Sequence, residues 1–407
     1  GLFRYVVDSI LRTGLHDLTF IPVSVAYDQI TQVDDYSIEQ RGQRKKPEGI
    51  TWPLRFLRRG RSRGRIHLRF GDGLTIRELV TQDQLDAGIS DQQKRILVPT
   101  VAFEVAVRMN AATPITATAI VTLILLAGGD RAQSLEEIQS LARAGAALIR
   151  RRHLEIVGRS NFRDADAVRA TLAELHETDI VGYLDEGTER LYAISPDQRL
   201  NAAYYRNTAI HYFILDAFVE IALLDAADAE DPVAAFHATT RELRELFKFE
   251  FYLPRTADYQ SDIQQRAHER FGDWEETVQR DKEGLLSDVP LLVAHGVLRS
   301  FVEAYRVVAG VIADAGDDAA GDRNALLSQC MKTGKQQLLQ GRVFSAESVS
   351  KTLYETGLRL ADYRGLLSAN HLAERNDLHD ELNRINKRLE TILAITLAKA
   401  EGRTRRP

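Results

Sequence analysis

Histidines standing five residues before an aspartate, and a dense run of cations, are the parts of this sequence with chemistry in reach. Three pairs fit the first pattern: His67/Asp72, His211/Asp216 and His268/Asp273. An imidazole oriented by a carboxylate makes a general base. The spacing tells against all three. His67 lies on a strand pattern and Asp72 beyond its turn. His211 and Asp216 share an apolar helical run, where five residues put side chains off one another's face. His268 and Asp273 straddle Gly272 at a helix end. None of the three is expected to be catalytic.

The cations say more. Arg41, Arg44, Lys45, Lys46, Arg55, Arg58, Arg59, Arg61 and Arg63, continued by Arg65, Arg69 and Arg77, stand against Glu48 and Asp72 alone. The local charge is near +10 in a chain whose formal net charge is −5, which calls for an anionic partner. Guanidinium grips phosphate bidentately, and lysine supplies a point charge. Trp52, Leu54, Phe56 and Leu57 interleave with Arg55, Arg58 and Arg59, the arrangement of a peripheral segment on anionic lipid. Phosphate ligands, an anionic membrane surface and a solvated basic loop with no dedicated ligand all fit.

Two strand patterns flank the cations. Leu18 to Tyr27 is rich in β-formers and too apolar for a surface element. Ile66, Leu68 and Phe70 alternate with Arg65, His67 and Arg69, the period of a half-buried strand. Leu2 to Arg12 reads as a helix ended by Gly14, and the short link to the first strand is an α/β signal. Short helices are expected at Tyr36–Arg41 and from Pro53 to about Arg59. This α/β part should end near Ser90.

From Asp91 onward the pattern is helical. Pro114 suits the first turn of a helix, and the apolar run Ile115–Ala127, broken by Thr116, Thr118 and Thr122, is too short to span a membrane. Ser134 caps a helix that carries acids in its first turn and runs to Arg152. Asp164 to Thr178 is helical, and residues 183–194 form a hairpin around Asp185-Glu186-Gly187-Thr188. The order across 116–195 has the shape of a winged helix. Its hairpin carries Asp185, Glu186 and Glu189 against Arg190, which would repel phosphates, so nucleic acid is not the expected partner. Asp197–Leu224 reads as one long helix, Asp314–Arg323 as a polar loop, and the last helices as about 346–372 and 376–400 before the basic tail Arg403-Thr404-Arg405-Arg406. One cysteine, Cys330, excludes a disulfide framework. A Cys/His cluster with metal-ligand spacing and a P-loop are both lacking.

Ile21-Pro22-Val23-Ser24-Val25-Ala26-Tyr27-Asp28, then Glu39, Gly42, Lys45-Lys46-Pro47-Glu48 and Arg65-Ile66-His67-Leu68-Arg69-Phe70-Gly71, together resemble the glycerol-3-phosphate acyltransferases of bacteria and mitochondria. Gly73 stands where that family usually has proline. The Tyr204-Tyr205-Arg206-Asn207 run with His211, and the segment Leu246–Leu253, resemble pieces of the family's helical C-terminal region. On their own chemistry, Tyr204, Tyr205, Arg206 and His211 read as a polar network between helices.

The resemblance implies a mixed α/β and all-α fold: residues 1–90 as the C-terminal part of an acyltransferase α/β domain, and 91–407 as a helical domain. It implies acyl transfer from acyl-coenzyme A or acyl-carrier protein to the 1-hydroxyl of glycerol 3-phosphate, at the cytoplasmic membrane face, with no cofactor. Ile21, Pro22, Val23, Tyr27, Lys45 and Lys46 are the implied substrate-binding residues. Arg55, Arg58, Arg59, Arg61 and Arg63 are the candidates for an anionic surface. The family's catalytic H-x-x-x-x-D, its second motif and E-G-x-R-S come before the I-P-V strand, so the chain is expected to be a fragment without them. Lys46–Thr51 and Glu186–Arg190 mimic the third motif, in the wrong order. The rival reading is a non-catalytic scaffold paralogue or a winged-helix module.

Overall fold

The computed structural model describes residues 2–28, 65–316 and 322–404. The helices expected at 36–41 and from Pro53, like the cations from Arg41 to Arg63, lie outside the described residues. Helix α1 (Leu2–Thr13) buries Val7 and Ile10, and Gly14 ends it at φ +73°, a left-handed value that suits glycine. Strands β1 (Val23–Tyr27) and β2 (Ile66–Phe70) pair antiparallel, Val23 opposite Phe70 and Tyr27 opposite Ile66. A bridge between Phe20 and Leu74 extends the ribbon, so both strand patterns share one sheet, as expected. Gly73, where the family pattern has proline, is a tight spot: a Cβ there would come within 2.4 Å of Thr19 Cγ2.

Helix α2 (Gln82–Asp86) and helix α3 (Asp91–Ala111) follow, each opened by a capping box. Leu97 and Val101 of α3 join Val7, Ile10, Leu74, Ile76 and Leu85 in a small core. That core therefore draws on residues beyond 90.

The next unit holds β3 (Ile115–Thr116), α4 (Ala117–Ala127), β4 (Gln133–Ser134), α5 (Leu135–Arg151), β5 (Ile156–Val157), α6 (Ala165–Glu177), β6 (Gly182–Leu184) and β7 (Leu191–Ala193). The hairpin is present as expected. Two further pairings join it: β4 completes a sheet of order β4-β7-β6, and β3 pairs parallel to β5. Helix, strand, two helices and hairpin in this order make a winged-helix topology. Helix α4 starts after Pro114 has passed, because Thr116 caps it by accepting from Ala119 N–H at 3.1 Å.

One helix was expected over Asp197–Leu224. The chain instead forms α7 (Arg199–Asn207), a tight turn at Ile210–Tyr212 and α8 (Ile214–Ala227). Arg152 holds the interrupted stretch: it donates to the Tyr212 carbonyl at 2.6 Å and to Asp216 at 2.5 Å. Asn207 and Thr208 favour the interruption. Helices α9 (Pro232–Phe247), α10 (Thr256–Phe271), α11 (Trp274–Thr277) and α12 (Lys282–Ser287) follow α8 in the chain. Then come α13 (Ala294–Asp314), α14 (Arg323–Leu339), α15 (Lys351–Tyr363) and α16 (Leu372–Thr404). Helix α13 is buried along most of its length, and Leu382, Ile385, Leu389 and Ile392 of α16 join the same core, which begins at Ile115. The expected 346–372 helix is a short turn at Ala346–Ser348 followed by α15, which Ser350 caps. The architecture is mixed α/β leading into a largely helical body.

Candidate functional site

The ribbon has two unlike faces. Alternation along paired strands puts Val23, Val25 and Tyr27 beside Ile66, Leu68 and Phe70. These six are exposed, Ile66 by 65% and Phe70 by 66%, and Ile21 continues the face at 60%. The other face turns inward. Ser24 Oγ lies 3.0 Å from Thr113 Oγ1, Ala26 is buried, and Arg69 reaches Glu155 at 3.6 Å. Of the residues singled out for binding, Ile21, Val23 and Tyr27 therefore share the open face. Pro22 is buried, and its carbonyl accepts from Gly71 N–H at 2.8 Å. Lys45, Lys46, Arg55, Arg58, Arg59, Arg61 and Arg63 lie outside the described residues.

His67 has a carboxylate partner, and it is not Asp72. Its Nε2 lies 3.0 Å from Asp28 Oδ1, while Asp28 Oδ2 accepts from Arg65 N–H at 3.1 Å. Both side chains are mostly covered, at 15% and 16% exposure. Gly158, at φ +79°, closes over the pair, since a Cβ there would sit 3.4 Å from Asp28 Oδ1. An imidazole held by a carboxylate is chemically a base with an orienting acid. The pairing follows from the register that sets Ala26 opposite His67, and Asp28 closes the quoted I-P-V segment. Aligning the two strand patterns could have found it.

The other pairs come apart. Asp216 is fully buried. Burial pushes its carboxyl up, but the Arg152, Arg270 and Arg266 guanidiniums outweigh this and hold it below the usual range. His211 is half-buried, and its loss of solvation pushes the imidazole down to about 4 against a stabilising bond to the Asn110 backbone. His268 faces Glu275 at 3.4 Å instead of Asp273. Arg190 is clamped by Asp185 at 2.5 and 2.8 Å, so Glu186–Arg190 is a hairpin tip, as expected.

Arg206 works as a link between helices. It pairs with Glu347 at 2.8 Å and donates to the Gly296 carbonyl at 3.2 Å. With Arg199, His295, Arg299 and Glu303 it lines a polar cavity of about 30 Å³, room for a water but not for a substrate. Glu250, in the second family-like segment, accepts from Tyr305 Oη at 2.9 Å, and burial pushes its carboxyl up to about 7. Among the described residues, no group of three His, Cys, Asp or Glu could hold a metal ion, and no helix is long and apolar enough to cross a membrane.

The described residues thus combine an antiparallel ribbon with one open face, a mixed helix-and-hairpin segment and a largely helical body. Residues 36–370 match the glycerol-3-phosphate acyltransferase C-terminal region, and the chain belongs to that family. It is 35% identical over 406 residues to a protein named "Putative acyltransferase plsB1" from Mycobacterium bovis and from two strains of Mycobacterium tuberculosis. The match covers 96% of this chain and 64% of the length of those relatives.

Proposed function

We propose that these residues form the helical region and one ribbon of a glycerol-3-phosphate 1-O-acyltransferase that draws its acyl group from acyl-coenzyme A or acyl-carrier protein. The observation that carries this reading is the open apolar face of the ribbon, built from the same I-P-V strand that carries the family resemblance. A two-stranded ribbon is at best marginally stable by itself in water, and a strand apolar on one face and packed on the other is built to be covered. Helices from the rest of an acyltransferase α/β domain would cover that face, and its strands would extend the ribbon at its edge. Ile21, Val23 and Tyr27 then stand at the join, with Lys45 and Lys46 supplying charge for the phosphates. The base on the glycerol hydroxyl comes from an H-x-x-x-x-D segment other than the three pairs of that spacing found here. Arg55, Arg58, Arg59, Arg61 and Arg63 hold the protein peripherally on anionic lipid in phospholipid synthesis.

The test is thiol release from palmitoyl-coenzyme A in the presence of glycerol 3-phosphate. The 407-residue chain is expected to give none. A chimera in which an acyltransferase segment carrying an H-x-x-x-x-D motif precedes Gly1 is expected to turn over. Replacing the histidine of its H-x-x-x-x-D motif should lower the rate by about 10²- to 10⁴-fold. A soluble chimera without turnover would count against the reading. Turnover by the 407 residues alone that vanishes in His67→Ala would move the base to the Asp28–His67 pair. A nucleic-acid role is disfavoured by the wing, where Asp185 engages Arg190 and Glu186 and Glu189 add negative charge.

A further inference from the structure

A groove between α1 and the corner of α2 and α3 shares no lining residue with the ribbon face. Its volume is about 760 Å³, within the roughly 300–1,000 Å³ of small-molecule sites. The floor is apolar: Leu85 is buried, and Leu11 and Ile89 are half-buried. The rim is cationic. Arg4, Asp8 and Arg12 stand in one row along α1 because they recur every fourth residue, His16 follows in the turn beyond Gly14, and α3 adds Lys94 and Arg95. Two of these cations have carboxylates already, Arg4 with Asp8 at 3.6 Å and Lys94 with Asp91 at 3.7 Å. Arg12 and Arg95 line the groove without an ion pair among the described residues.

We propose that this groove binds an anionic amphiphile through its phosphate group, a site separate from the ribbon. Arg12 and Arg95 supply the two unengaged guanidiniums, whose planar donors match phosphate oxygens. Leu11, Leu85 and Ile89 receive a short hydrocarbon portion, and burying it removes apolar surface from water on both partners. A phosphate alone would leave most of the volume unfilled, and a purely apolar ligand would gain nothing from the guanidiniums at the rim. The phosphate can belong to a soluble ester or to a lipid headgroup at a surface.

The experiment uses the whole 407-residue chain. Titration calorimetry with 1-hexanoyl-glycerol 3-phosphate below its micellar concentration is run beside inorganic phosphate and hexanoylglycerol. Flotation with phosphatidylcholine vesicles, with and without phosphatidate, forms the second arm. Saturable binding of the ester, tighter than of either half-molecule and weakened about tenfold or more in Arg12→Gln/Arg95→Gln, is the expected result. If only phosphatidate vesicles bind, with the same dependence on Arg12 and Arg95, the site is a lipid headgroup site and the proposal holds. Both substitutions fall on exposed residues, so unchanged melting temperature and circular dichroism verify the fold. A chain carrying Arg58→Gln, Arg59→Gln and Arg61→Gln should keep groove binding. No binding, binding that survives loss of Arg12 and Arg95, or binding lost with Arg58, Arg59 and Arg61 instead, overturns the proposal. None of these outcomes touches the acyl-transfer chimera, which tests the family activity separately.

Discussion

Arg206 keeps 5% of its side chain exposed, and its partner Glu347 keeps 8%. At that burial the pair matters less for its attraction than for what happens when one partner goes. Arg206→Gln strands a buried carboxylate and should cost about 3–5 kcal/mol in urea denaturation, while Arg206→Met with Glu347→Leu should recover much of the loss. Glu250 makes a different residue-scale prediction. Its folded-state carboxyl is raised to about 7 from 4.5 by burial, so the fold favours the neutral form. That contribution is fully present below the ordinary value and is lost as pH rises through 7. Glu250→Gln keeps an acceptor for Tyr305 and should stabilise the protein at pH 8 by on the order of 2–3 kcal/mol, with little effect near pH 4. His211 and His295 run the opposite way. Burial lowers both to about 4, so their contribution holds above pH 6.5 and is lost as pH falls through 4. Both imidazoles should still be neutral by NMR at pH 5.5.

Among elements, the close crossing of α4 and α13 has a simple cause. Gly296 lets the helices approach until an added Cβ would be 2.8 Å from Ala127 Cβ. Gly296→Val should therefore destabilise by about 1–3 kcal/mol through overpacking, read as a lower denaturation midpoint at unchanged slope. The Thr116 cap accounts for where α4 begins, and Thr116→Val should cost about 1 kcal/mol by leaving the Ala119 N–H without an acceptor. Capping could be read locally at Ser134 and was missed at Thr116. There Pro114 offered a competing start signal, and the β3–β5 pairing that absorbs Ile115 and Thr116 joins residues some forty positions apart.

For the whole molecule, the informative feature is a surface that a folded protein seldom shows. Seven large apolar side chains share the open ribbon face, while the helical core beneath α8 and α13 is closed. A patch of this kind marks an interaction site or an aggregation hazard. The isolated chain should bind a hydrophobic dye and self-associate at high concentration. Leu68→Lys with Phe70→Ser should reduce both without lowering the melting temperature, since neither side chain is packed. A fall in stability would show instead that the face is already covered by residues of this chain.

Much of the molecule was legible in residue order because its signals are local. Apolar periodicity marks α5 and α6, Gly14 and Ser134 punctuate helices, and alternation about residues 183–194 makes the hairpin. The I-P-V strand, with its partner at Arg65–Phe70, was enough to suggest the family. What only the tertiary structure decided are the choices made between distant groups. Arg152 takes the Tyr212 carbonyl within the interrupted helical run; strand register hands His67 to Asp28 instead of Asp72; Arg152, just past α5, gathers on Asp216 with Arg266 and Arg270 of α10. Periodicity states which side of an element is apolar, but the partner of a buried charge is set by packing across the core. For the same reason, the groove beside α1 and the uncovered face of the ribbon could be seen only once the chain had folded.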